Sequence, residues 1–346
     1  MKQAILGLIL LWAYSASAQT VVVGAGEAEP KGGVWTARQE AAGEQWKAVT
    51  YGKEIFVAVA NSGATQRVMT SPDGINWKMR TSPSGSDWQS VTFGNGLFVA
   101  IAENETVNPK VITSPDGITW TTRTAASLTR QWKMVAYGGD GAGGPLYVAV
   151  ADDASSATGA VMTSPDGITW TSRNASANAA WNAVTWGNGL WVAVAGDSFP
   201  NQIMTSPDGV TWTNRTSPEN AAWKNVEYGH GLFVAVAFGG TGNRVMTSPD
   251  GVTWTARTSP IMNWTGLAYG NGIFVAVASD SCCVGGSTKR VMTSSNGIAW
   301  TQREASIDAR WLSVVYGNGM FVAVSDESNL GVKRVITSGF NLDPVQ

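Results

Sequence analysis

The feature that most constrains this chain is a phrase it repeats. The clearest copy, WNAVTWGNGLWVAVAGDSFPNQIMTSPDGVTWTNR, runs from Trp181 to Arg215. The tryptophan that opens it recurs at positions 46, 88, 132, 181, 223, 264 and 311, so successive units lie 41 to 49 residues apart. A period of about 40–45 residues with four short strands per unit predicts the blades of a β-propeller.

Each unit reads as four strands, A to D. Strand A starts at the opening tryptophan, as in Trp46 to Tyr51, and ends in a Gly-Asn-Gly turn in most copies, as at Gly94-Asn95-Gly96. Asn-Gly between β-formers favours a two-residue hairpin with positive φ at both central residues. Strand B is the FVAVA run, continuous enough in apolar residues to be buried on both faces between neighbouring blades. Strand C is RVMTS, followed by a Ser-Pro-Asp-Gly turn in which proline presets φ and glycine accepts a positive one. Strand D is W-T-x-R, as in Trp120 to Arg123.

Strands A to C occur seven times, but the Asp-Gly-x-x-Trp that begins strand D (Asn-Gly in the sixth copy) follows them only six times. The last unit ends at Arg334 to Ser338 and departs into Gly339-Phe340-Asn341, while an unmatched strand D, Val34 to Arg38, stands near the other end of the chain. Joining the two within one blade closes the ring and removes two sheet edges. The expectation is an all-β, seven-bladed propeller of four-stranded blades over residues 34–346, completed by its N-terminal strand.

The repeat resembles that of the bacterial neuraminidase-repeat, or Asp-box, propellers, which include sialidases and photosystem assembly factors of the Ycf48 type. The residues that carry the resemblance are Ser71-Pro72-Asp73-Gly74-Ile75-Asn76-Trp77 and the equivalents starting at Ser114, Ser164, Ser206 and Ser248. Against the S-x-D-x-G-x-x-W pattern, this version is one residue shorter between Asp and Gly, and the sixth copy has Ser295-Asn296-Gly297 in place of Pro-Asp-Gly. The resemblance implies that these boxes are structural turns far from any catalytic centre.

Residues 1–18 read as a secretory signal: Lys2, an apolar run from Ala4 to Tyr14, and Ala16-Ser17-Ala18 as the cleavage site. A leader, residues 19–33, precedes the propeller. No other apolar run approaches the ~20 residues a membrane helix needs, so an extracytoplasmic protein, secreted or periplasmic, is expected. The 23 basic and 25 acidic residues nearly cancel, which argues against a nucleic-acid partner. A single histidine, His230, leaves little room for histidine catalysis or zinc. No cofactor or metal motif is present. Cys282 and Cys283 are adjacent, and either a vicinal or an intermolecular disulfide is open to them in an oxidising compartment.

In such blades the A–B and C–D turns share one face of the disc and the B–C and D–A loops the other. Here the first pair is stereotyped and the second varies, which places binding on the loop face. The residue before each opening tryptophan is expected near the mouth of the central channel: Gln45, Asp87, Gln131, Ala180, Ala222, Asn263 and Arg310, with Arg130 one step earlier. These differ from copy to copy, as an asymmetric site requires and as unconstrained surface also allows. Phe199 and Phe238 in the B–C loops could stack on a sugar or anchor a partner. The B–C loops also hold Glu103, Glu105, Asp152, Asp153, Asp197, Asp280, Asp326 and Glu327, either a cation-recruiting rim or a solvated surface. Seven arginines end strand D, at 38, 80, 123, 173, 215, 257 and 303, either as an anion belt or, each on its own strand, against an aromatic ring or a turn carboxylate.

No catalytic constellation stands out. Sialidases use an arginine triad, a Tyr-Glu pair and an acidic proton donor, whereas the arginines here fall at repeat-equivalent positions and the tyrosines are repetitive strand residues. A non-enzymatic binding or scaffold protein, recognising a protein or glycan through its variable loops, is the expectation. A carbohydrate-binding lectin and a sialidase-like glycoside hydrolase are the alternatives, and oligomeric state is left open.

Overall fold

The computed structural model describes residues 32–63, 65–103, 110–139, 144–197, 199–240, 243–279, 288–327 and 333–339. The proposed signal and most of the leader, residues 1–31, lie outside them. The described residues belong to one compact unit that begins at Lys31. They form seven four-stranded antiparallel sheets, and no helix long and apolar enough to cross a membrane occurs among them.

Blade one is typical. Strand A (Trp46–Gly52), B (Ile55–Ala60), C (Val68–Ser71) and D (Lys78–Arg80) pair in chain order. The A–B hairpin closes at Gly52 and Ile55, leaving two residues in the turn. Where the turn is Asn-Gly it has the predicted positive φ at both, 44° at Asn95 and 75° at Gly96. Strand B is buried from its second to its sixth residue in every blade, because both of its faces are covered by neighbouring blades. The apolar core is therefore inter-blade: Val57 and Val59 of blade one cluster with Trp88, Phe98 and Ala100 of blade two.

The ring closes as expected. Thr36–Arg38 pairs with Val335–Gly339, in register Thr36 to Thr337 and Arg38 to Val335, and so completes the sheet of Met320–Ser325 and Trp311–Gly317. The closing segment reaches further back than Val34. The Trp35 indole N–H donates to the Gly32 carbonyl at 3.0 Å, as Trp77 does to Gly74, so the leader supplies the last blade's Gly-x-x-Trp turn too. In each blade the strand itself starts one residue after that tryptophan, which belongs to the turn.

The Ser-Pro-Asp-Gly turns are held by their aspartate. Asp73 Oδ1 accepts the Ser71 hydroxyl at 2.8 Å and the backbone N–H groups of Ile75 and Asn76 at 2.9 and 2.8 Å. Partial burial opposes the charge, but the bonds from Asn76, Ile75 and Ser71 outweigh it and hold the carboxyl at about 2. In the sixth copy Asn296 Oδ1 accepts the equivalent three bonds without a charge. The strand D arginines share one hydrogen bond along the sheet. Each donates its Nε–H to the strand C threonine beside it, from Arg38 to Thr337 through Arg303 to Thr293.

Candidate functional site

Strand A is the innermost strand of every blade, so its inward side chains line the central channel. Its first residues carry a β-bulge in each blade, as between Trp46 and Ala48 or Trp223 and Asn225. An extra residue in one strand re-aims side chains. Here it turns the residue after the tryptophan toward the channel. These residues are Lys47, Gln89, Lys133, Asn182, Lys224, Thr265 and Leu312, and they ring the loop-face end of a 770 Å³ cavity. Sequence reasoning missed this ring. The signal was present in the aligned strands, WKAVTYG, WQSVTFG, WKMVAYG and WNAVTWG, where the second position varies beside near-constant neighbours.

The opposite end is a collar. At the end of strand A each blade places an aromatic residue against a glycine of the blade before it: Phe93 on Gly52, Tyr137 on Gly94, Trp186 on Gly138, and onward until Tyr51 meets Gly317. A Cβ on Gly94 would lie 2.0 Å from the Tyr137 ring, so glycine is required by close approach.

The mouth carries three charged groups of different kinds. Lys47 Nζ lies 2.7 Å from Asp326 Oδ2, which also takes Arg310 at 3.2 Å. Lys133 bridges Glu103 and Asp152, the latter at 2.9 Å. Burial alone would lower the Lys133 ammonium, but the fields of Asp152 and Glu103 prevail and hold it above its ordinary value. Lys224 has no ion pair of this kind among the described residues; its ammonium donates to Asn182 Oδ1 at 3.2 Å. Burial, with repulsion from Lys133, holds it below its ordinary value. Deeper on the same strand, burial pushes the Glu227 carboxyl up to about 7, against a bond from the Tyr228 backbone N–H.

The predicted site residues divide. Arg310, Phe238 and Glu103 line the cavity, and Asp152 joins them through Lys133. Asp87, Arg130 and Asn263 are engaged elsewhere. Arg67, just before strand C, donates to Asp87 Oδ1 at 2.8 Å, and Arg244 at the equivalent place donates to Asn263 Oδ1 at 2.8 Å. Lys110 Nζ reaches the Arg130 carbonyl at 2.6 Å, while the Arg130 guanidinium pairs with Asp153. The basic residues before strand C thus staple one blade to the loop entering the next. Phe199 is 49% exposed but does not line the cavity. Cys282, Cys283, Glu105 and Asp280 lie outside the described residues. Among the described residues no cluster of His, Cys, Asp or Glu is arranged to hold a metal ion. His230 sits in the A–B turn of blade five at φ 50°, where four other blades have asparagine.

Residues 29–173 match the model of the DUF6242 beta propeller domain. No curated protein matches the chain in sequence. Among solved structures, Ycf48 bound to a D1 peptide is similar at 14% identity and a TM-score of 0.64, covering 90% of this chain and 97% of its own. Virginiamycin B lyase from Staphylococcus aureus is similar at 8% identity and a TM-score of 0.72, covering 89% and 99%. Ycf48 from Cyanidioschyzon merolae is similar at 13% identity and a TM-score of 0.62, covering 88% and 98%. At these identities the likeness is one of fold.

Proposed function

We propose that this chain is an extracytoplasmic, non-enzymatic binding or scaffold protein that recognises a protein partner through the B–C/D–A loop face. The observation that carries this reading is the channel mouth, where seven equivalent positions hold seven side chains of four chemical kinds above a repetitive frame. A frame that repeats while one ring of positions does not is what recognition of a single asymmetric partner requires. The peptide bound to Ycf48 supports a protein partner, and the Ser-Pro-Asp-Gly turn geometry supports kinship with the Asp-box propellers. The signal-like residues 1–18 support export, which N-terminal sequencing of the mature protein tests, with Gln19 expected first.

The face is tested by site-specific photo-crosslinking in the native extracellular fraction, with the reactive group at Phe238 on the mouth or at Lys53 on the turn face. A discrete adduct from Phe238 alone is expected, and equal adducts from both positions overturn the assignment. Because the repeat also resembles that of sialidases, the same protein is incubated with a glycan array read by mass spectrometry. Cleavage of any glycan overturns the non-enzymatic reading.

A further inference from the structure

We infer that the mouth contains a subsite for one carboxylate group, bound by Lys224 between Asn182 and Asn225, with Phe238 covering the body of the ligand that carries it. This rests on the loop face being the binding face and adds the chemistry it recognises.

Charge decides the class of ligand. The Lys47–Asp326–Arg310 group carries one positive charge in excess, and the Glu103–Lys133–Asp152 group one negative charge in excess. They offset each other across the channel. Lys224 is left over, and these three groups together offer a single positive charge, with the Glu227 carboxyl deeper in the same cavity. A monoanion neutralises that positive charge, whereas a second charge on the ligand would meet Glu103, Asp152 and Asp326 without a cation to answer it.

Hydrogen bonding places the group. An ammonium has three donors. Lys224 gives one to Asn182 Oδ1, whose amide is oriented by its own Nδ2–H bond to the Trp223 carbonyl at 2.9 Å. The remaining donors are available to two carboxylate oxygens. Asn225, next in the strand and also lining the cavity, donates Nδ2–H to the Thr265 carbonyl at 3.4 Å, which leaves its buried Oδ1 without a partner among the described residues. An orphaned acceptor beside a cation asks for a ligand that carries an N–H or O–H close to its carboxylate.

Blade five is built differently where this happens. Its strands A and B run Ala221–Gly229 and Leu232–Gly240, nine residues each, against seven and six in the other blades, and Ala221 pairs with Gly240 at the rim. The extension carries Phe238, 44% exposed, at the cavity edge in the same blade as Lys224. A carboxylate beside an N–H or O–H occurs both at the free end of a peptide and in an acidic sugar, and the test separates the two.

The full mature chain, isotope-labelled, is titrated by NMR while the side-chain amides of Asn182 and Asn225 are followed. The probes are N-acetyl-dialanine against its C-terminal amide, glucuronate against glucose, and inorganic phosphate. At least one acid is expected to shift both amides and to bind about tenfold or more tightly than its neutral analogue. The pair that shows this difference identifies the source of the carboxylate. Lys224→Met is expected to lose about tenfold in affinity for that acid, Phe238→Ala a smaller factor, and Lys53→Met on the turn face none. Acids and neutral analogues binding alike, phosphate binding more tightly than either acid, undiminished binding by Lys224→Met, or no shift with any acid each overturn the subsite. A Phe238 photo-adduct that survives Lys224→Met would keep the binding face while removing the subsite, so the two readings fail separately.

Discussion

The two faces of this propeller are made by the same seven repeats and obey opposite rules. On the turn face the blades repeat one another: an aromatic residue covers the neighbouring glycine in every blade, an aspartate or asparagine gathers the C–D turn in six, and A–B turns reach the next blade's C–D turn, as when Lys53 Nζ bonds the Pro115 carbonyl at 2.8 Å. At the mouth the ring after the tryptophans reads Lys, Gln, Lys, Asn, Lys, Thr, Leu, and no two charged groups are alike. The frame tolerates variety only where a side chain points into the channel, since a channel imposes no packing partner. The turn face therefore carries stability and the mouth is free to carry recognition.

The sharpest way to break this comparison is to disturb the collar. Gly94→Ala forces a methyl group against the Tyr137 ring and is expected to cost about 3 kcal/mol or more, at the upper end of overpacking effects, while Gln89→Ala at the mouth should change stability by less than about 0.5 kcal/mol. Calorimetric midpoints compare the two, and equal values would end the division of labour. Lys133→Met is the mouth substitution with the largest expected cost. It leaves Glu103 and Asp152 without their shared cation, at about 2 kcal/mol, below the range for fully buried pairs because all three side chains keep some access to water. Urea titration measures it, and adding Glu103→Gln should recover part of the loss.

Glu227 gives the mouth a pH signature that the turn face lacks. Its carboxyl titrates near 7 in the fold against 4.5 as a free side chain. Between these values the folded chain holds a proton the unfolded chain has released, so stability falls as pH rises through this window and levels off above it. Glu227→Gln removes that slope, and its advantage over the parent should be absent below pH 4.5 and complete above 7. A difference that does not change with pH would show that Glu227 is well solvated.

The turn of blade one offers a gain. Lys53 and Glu54 both have positive φ, 47° and 59°, where four other blades use Asn-Gly. Lys53→Asn with Glu54→Gly should stabilise the protein by about 1 kcal/mol through relief of backbone strain. Asp73→Asn is expected to have the smallest effect, since Asn296 already fills that role in the sixth copy. The Asp73 carboxyl lies near 2 in the fold against 3.8 free. Its stabilisation is full above 3.8 and lost as pH falls through about 2, so the variant and the parent should converge in acid.

The blade count and the closure of the ring were legible because each rests on periodicity, which a single chain displays seven times over. The mouth was less so. Of the residues before the tryptophans, Ala222 and Arg310 do line the cavity, but the residue after the tryptophan lines it in all seven blades, and the bulge that turns it there leaves no composition signal. The fates of Asp87 and Asn263 depend on Arg67 and Arg244 reaching across from another blade, a pairing that no within-repeat reading contains. Gly32 escaped notice because the closing turn keeps only the Gly-x-x-Trp half of its motif.

The strand that closes the ring also sets the order in which the ring can form. The Arg38 guanidinium bonds Thr337 across 299 positions of sequence, at 2.9 Å. The first strand of the fold to be synthesised therefore waits, unpaired, until nearly the whole chain has emerged, and so long a loop must close before any of its contacts repay the entropy. A chain ending before Val335 is thus an open spring, with an unfinished sheet at each end and nothing to hold its curvature. The ring can lock only once its C-terminal residues are made, so the same clasp that makes the finished disc rigid keeps the growing chain open.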